Sequence, residues 1–288
     1  MGKVIYYNIL RDGDNTLKGL IAEKIFERVV RHFIDSLQCC STLALALFLS
    51  RIRDASKFPS HRVHLDLDLE TVVSRYGAEG ALENELVETL KGLRRYVGLS
   101  ERDIDPQTVI RYDLHGCPLC LRDRDVFHED EEMESNLVMA DDLSILVRLC
   151  STCYKYLAEN GYITHRRIQD KKLVRLFCTL KLLRELYSNR DIIRILARLD
   201  KEDRELLLDI YARPGQLGGR PFDYLCIDER GDKYLVDVAS TAGSHRASPL
   251  SKRERELAPV VRARGFKIST PVVEYLGNWN VRVGLMEI

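Results

Sequence analysis

The sequence predicts a mixed α/β protein of the α+β kind, and three observations carry that expectation. Near the C-terminus two β-rich apolar runs, residues 222–227 and 234–238, flank the turn Asp228-Glu229-Arg230-Gly231-Asp232, the pattern of a β-hairpin. Near the N-terminus, residues 17–37 place Leu17, Leu20, Ile21, Ile25, Val29, Phe33 and Leu37 at helical spacing. Between them, a mostly helical middle carries two C-x-x-C pairs, Cys117/Cys120 and Cys150/Cys153.

Composition bounds the function classes. The chain has 288 residues, 45% hydrophobic and 31% charged, in the range of globular proteins. Its 44 basic and 44 acidic side chains cancel, so any attraction for nucleic acid has to be local. No apolar run reaches the ~20 residues that span a bilayer, and the first residues lack the apolar core of a signal peptide. The expectation is an intracellular protein, of cytoplasm or nucleoid, with no membrane partner. Its eight cysteines are then expected as thiols or metal ligands rather than disulfides. Cys39, Cys40, Cys178 and Cys226 read as small core residues.

Taken in order, residues 1–40 hold a short strand at 3–10, a turn at Asp12-Gly13-Asp14-Asn15-Thr16 and the helix at 17–37. On that helix Glu23 shares its azimuth with Val30 and Ile34, so it points inward. Residues 41–110 are a helical segment, with helices expected over 42–53 and 78–97. The run at 60–69, with His61, His64, Asp66 and Asp68, reads as a solvated loop or edge strand.

Residues 111–163 form the cysteine module. Two C-x-x-C pairs, 29 residues apart, supply the four thiolates of a closed tetrahedral structural Zn2+ site. The second pair opens a helix, as in a treble clef or zinc ribbon. The acidic run at 129–134 reads as a solvated loop. Residues 164–212 are a basic helical segment: from 164 to 198, ten Lys or Arg stand against three Asp or Glu. Arg166, Arg167, Lys171 and Lys172 are its candidates for phosphate contact.

Residues 213–288 carry the chemistry. The second apolar run has one polar position, Asp237, and a carboxylate in a central strand needs a partner. Strand parity points Asp237 and position 239 the same way, and Asp223 at the start of the first strand can lie beside them. Two carboxylates meeting there suit a hard divalent cation. Beyond lie a loop at 240–248, a helix over 251–264 with the capping box Ser251/Glu254, a short strand at 265–268, and a tail at 272–288 broken by the hairpin signal Gly277-Asn278.

This segment resembles the core of the PD-(D/E)xK nucleases, the restriction-endonuclease-like superfamily, and within it the Mrr-like and NO VEIN C-terminal domains. Pro221-Phe222-Asp223 and Asp237-Val238-Ala239 stand at the two motif positions, and Gly19-Leu20-Ile21-Ala22-Glu23 resembles the first-helix motif. The resemblance implies a mixed β-sheet core of residues 1–40 and 213–288, flanked by helices and interrupted by the helical, zinc-bearing insertion. It implies Mg2+ or Mn2+ held by Glu23, Asp223 and Asp237. The family's lysine is Ala239 here. It has been replaced by design, lost naturally, or its role has passed to Lys252 or Lys233. The resemblance further implies contacts to DNA, expected as duplex, from Arg220, Ser240, His245, Arg246, Lys252 and Arg253. The expected function is restriction-type DNA cleavage by a homodimer, impaired in this chain. The alternatives are a non-catalytic zinc-containing DNA-binding protein with a degenerate nuclease fold, and a structure-specific nuclease.

Overall fold

The computed structural model describes residues 6–8, 24, 37–53, 68–100, 104, 117–119, 137–140, 145–212, 221–242, 250–275 and 280–287. For 6–8, 137–140, 145, 239–242, 272–275 and 280–287 it describes the backbone alone. The protein is mixed α/β and divides into two compact units, one of Met1–Ser50 with Arg198–Ile288 and one of Arg51–Ala197.

The first unit is built on a mixed sheet of strands β1 (Tyr6–Asn8), β2 (Gln38–Ser41), β7 (Tyr224–Ile227), β8 (Lys233–Val236), β9 (Ala239–Ala242), β10 (Phe266–Tyr275) and β11 (Asn280–Glu287). The spatial order is β1-β11-β10-β8-β7-β2, with β9 also on β10. The hairpin expected from the turn at 228–232 is present as antiparallel β7–β8. The chain then crosses over through a helix (Lys252–Ala263) to place β10 parallel to β8.

Strands β8 and β9 lie on a single line. β10 pairs Ser269 with Val236 and then Val272 with Ala239, an unchanged register, so only Asp237 and Val238 interrupt the ladder. The cause is in β10. Asp237 N–H donates to Ser269 O at 3.1 Å, and in a parallel ladder its carbonyl would accept from residue 271. That residue is proline and has no N–H. The reading of 240–248 as a loop is corrected accordingly, because 239–242 extend the sheet. The short strand at 265–268 and the first run of the tail are likewise one ten-residue strand.

Side-chain alternation sorts the sheet into two faces. Tyr224, Cys226 and Val236 pack with Leu37, Cys39, Tyr234 and Val238 on one. There Cys39 and Cys226 form a disulfide, which corrects their expected role as reduced core thiols. The two are direct partners in the antiparallel β2–β7 register, and strand pairing at such distance in sequence leaves no local signal.

The other face carries Leu225 and Ile227, Lys233 and Leu235, and Phe266 and Ile268. Two helices cover it: Lys201–Tyr211, capped by Asp200, and the crossover helix, capped by the expected Ser251/Glu254 box. Asp203, 1% exposed, accepts from Lys233 Nζ at 2.6 Å, and Lys233 also donates to Arg264 O at 2.7 Å.

The second unit contains helices α2 (Leu69–Tyr76), α3 (Ala81–Tyr96), α4 (Ser151–Glu159), α5 (Lys171–Tyr187) and α6 (Arg190–Ala197). Helix α1 (Thr42–Arg53) precedes them, with the expected bounds; the Lys201–Tyr211 helix is α7 and the crossover helix α8. Helix α3 packs on α5, and α2 on α6. A small sheet of order β4-β3-β6-β5 uses Ile145–Arg148, Leu137–Ala140, Arg167–Ile168 and Ile163–Thr164. Helix α2 departs from the loop reading at its start: Asp68 is its N-cap, accepting from Thr71 N at 2.6 Å. Among the described residues, no helix is long and apolar enough to cross a membrane.

Candidate cation site and cysteine cluster

The segment Pro221-Phe222-Asp223 leads into β7 in an unusual conformation. Phe222 is buried yet has φ +63°, a region that costs a bulky residue roughly 1–2 kcal/mol. Three groups hold it there. Tyr211 Oη of α7 donates to Pro221 O at 2.8 Å, and Thr42 Oγ1, opening α1, donates to Phe222 O at 2.7 Å. Asp223 itself donates its N–H to Val236 O at 2.7 Å and accepts Thr42 N–H at 2.9 Å. Burial raises the Tyr211 phenol far above its ordinary range, so it stays a neutral donor. Such retained strain marks positions where geometry matters.

The outcome is a row of side chains across three strands. Asp223 and Asp237 sit side by side, and the continued β8–β10 register puts Thr270 next in line on the same face. The Asp223 and Asp237 carboxyls share a hydrogen bond. Asp223 Oδ2 also takes the Val238 N–H, which points away from β10, at 2.8 Å. Burial first, then the charges of Glu254 and Asp223, push the Asp237 carboxyl up to about 7. That upward shift favours a proton on Asp237, at oxygens a cation would otherwise compete for. Glu254 of α8 is 6% exposed, and Thr270 is fully buried with no partner for Oγ1. A divalent cation fits this donor set: hard oxygen ligands, an excess of negative charge and an orphaned hydroxyl.

The structure also places several of the other expected site residues. Lys252 has an 89% exposed side chain, with Nζ 4.0 Å from Glu256. Lys233 is committed to Asp203 and to the face of Phe266, 4.8 Å from the ring centroid. Ala239 and Ser240 lie in β9, the former opposite Val272. Arg253 is half-buried and interacts electrostatically with Tyr211. Glu23, Arg220, His245 and Arg246 lie outside the described residues.

In the second unit, the sulfurs of Cys117, Cys150 and Cys153 lie within 4.8 Å of one another, all buried and none in a disulfide. Thiolates about 2.3 Å from one tetrahedral ion sit ~3.8 Å apart, so this grouping can hold a metal ion. Cys120 lies outside the described residues. Cys150 caps α4, its Sγ accepting from Cys153 N at 3.4 Å. The buried Arg94 of α3 steadies the other knuckle by donating to Leu119 O, and to Ser100 O at 2.8 Å.

The basic candidates of this unit lie together. His165 and Arg166 form the tip between β5 and β6 with φ of 49° and 61°. Arg166, Arg167, Lys171 and Lys172 are all exposed, and Lys172 Nζ lies 4.6 Å from the Tyr96 ring centroid. Sequence reasoning missed three groups around the carboxylates: Glu254, visible only as a helix cap, and Thr42 and Thr270, whose hydroxyls no local pattern singles out. No protein-family model, curated protein or solved structure matches the chain.

Proposed function

We propose that the chain is a metal-dependent DNA endonuclease of restriction type, with a PD-(D/E)xK-like core and an attenuated active site. The observation that carries this reading is the pairing of the Asp223 and Asp237 carboxyls, from adjacent strands, at the two motif positions. Asp223 and Asp237, with Glu23, would hold Mg2+ or Mn2+. Such an ion polarises a phosphate and lowers the pKa of a water. The chain's own contribution is placement: Tyr211 and Thr42 hold the Asp223 backbone, while the Val238 N–H and the β10 register orient the carboxyls.

Ala239 offers no amine to steady transition-state charge, and removing such a group typically lowers the rate ~10²–10³-fold. Cys120 would join Cys117, Cys150 and Cys153 around a structural Zn2+. The exposed Arg166, Arg167, Lys171 and Lys172 would contact phosphates, and paired cuts in a duplex call for a homodimer.

The test is cleavage of duplex, branched and single-stranded DNA with Mg2+ or Mn2+. Wild type should cut weakly, Ala239→Lys at least tenfold faster, and Ala239→Lys/Asp237→Asn not at all. An Ala239→Lys protein that binds DNA and cation yet cuts none of these substrates leaves the second reading, a non-catalytic zinc-containing DNA-binding protein. The absent amine at 239 and the commitment of Lys233 elsewhere favour that alternative over a relocated lysine.

A further inference from the structure

Glu254 and Thr270 have in common a chemistry that the fold itself does not need. Thr270 sits in β10 beside Asp237, fully buried, with no partner for its hydroxyl. Leaving a buried hydroxyl unsatisfied costs about 1–3 kcal/mol, and valine would fill the same strand position without that loss. Glu254 comes from the opposite side, on the first turn of α8. One of its oxygens, Oε2, accepts the Ser251 N–H at 2.5 Å and completes the capping box. Glutamine closes that box as well. What glutamine lacks is the charge, and here the charge faces the Asp223–Asp237 pair, which repels it. Each residue is therefore a poorer choice for stability than its isostere, and both poor choices converge on one spot.

We propose that Glu254 and Thr270 form the outer layer of the cation site, hydrogen-bonding the hydration shell of an ion whose direct ligands are Asp223 and Asp237. The inference rests on the reading of those two aspartates as cation ligands. Mg2+ is bound by one or two carboxylates and keeps several waters. Partners in the outer layer hold such a shell in place. The distances agree with that division. The Asp223, Asp237 and Glu254 oxygens do not gather within 4.8 Å of one another as the three thiols do, so Glu254 stands back from the pair. The Thr270 hydroxyl, able to donate and to accept, suits a water better than a metal.

The experiment is a Mn2+ titration of the full, zinc-loaded chain, followed by calorimetry and Mn2+ electron paramagnetic resonance. It is paired with thermal melts in the absence of Mn2+. Glu254→Gln and Thr270→Val should each weaken Mn2+ binding by about 10–100-fold, with a cation-free Tm equal to or above wild type. Thr270→Ser should bind as wild type does. Asp237→Asn should lose binding altogether. If Glu254→Gln and Thr270→Val bind Mn2+ like wild type while Asp237→Asn does not, the outer layer is wrong and the aspartate pair stands. If Asp237→Asn also binds like wild type, the reading beneath the inference falls with it. A lowered cation-free Tm in both Glu254→Gln and Thr270→Val marks the two residues as structural and overturns the proposal.

Discussion

Asp237 answers to pH in a definite direction. Its carboxyl titrates near 7 in the folded chain against an ordinary 3.8, so the folded state holds this proton where the unfolded chain has lost it. Stability from this group is full below the ordinary carboxylate range. It falls as pH rises toward 7, by up to roughly 1.4 kcal/mol per pH unit. The cation-free protein should therefore melt at a lower Tm at pH 8 than at pH 5, and Asp237→Asn should flatten the difference. Mg2+ should raise Tm more at pH 8 than at pH 5, because the ion competes with the proton for the same oxygens. Parallel pH profiles for wild type and Asp237→Asn would contradict this account. The pairing of Asp223 with Asp237 was legible from strand parity, since both face one way once the hairpin register is set. Glu254 was legible only in its local role, because a cap is written within four residues and a neighbour across a helix–sheet interface is not.

At the scale of elements, the Asp203–Lys233–Arg264 group joins α7, β8 and the end of α8. Asp203 is nearly inaccessible, with Lys233 Nζ at 2.6 Å and Arg264 Nε at 3.5 Å. Removing one partner of a buried charge pair is far more damaging than the pair is stabilising, typically by about 3–5 kcal/mol. Lys233→Met should cost about that much in urea unfolding, with Asp203→Asn/Lys233→Met recovering part of it; an unchanged midpoint would refute the assignment. The hairpin, the capped α8, the apolar-sided α1 and the helix opened by the second cysteine pair were readable because their signals are contiguous in sequence. The β8–β9 interruption was not, since its cause is a proline in β10, far along the chain. Helix α2 was obscured by the alternating polar run before it, although Asp68, Leu69, Val72, Val73 and Tyr76 do carry a cap and helical spacing.

For the whole molecule, the two units invite separate handling. The cysteine cluster belongs to Arg51–Ala197, while the carboxylates belong to the other unit. A chelator that strips tightly held zinc should lower the thermal transition of the cysteine unit, and Cys117→Ser should reproduce that loss. Elemental analysis should give one zinc per chain before treatment and none after. A chain that holds no zinc and melts unchanged would rule the ion out. The cysteine spacing made this cluster readable without any fold. The expectation that all eight cysteines serve as thiols or ligands did not survive for Cys39 and Cys226, because composition cannot report which strands lie side by side.

That last bond has a topological effect. Cys39 and Cys226 are 187 positions apart, and every residue of Arg51–Ala197 lies between them. The polypeptide is thereby closed into a ring that contains one entire unit and leaves both termini outside it. A single peptide bond broken within residues 51–197 opens the ring without severing the chain, so the sheet's two contributing segments stay joined until a reductant reaches the sulfurs.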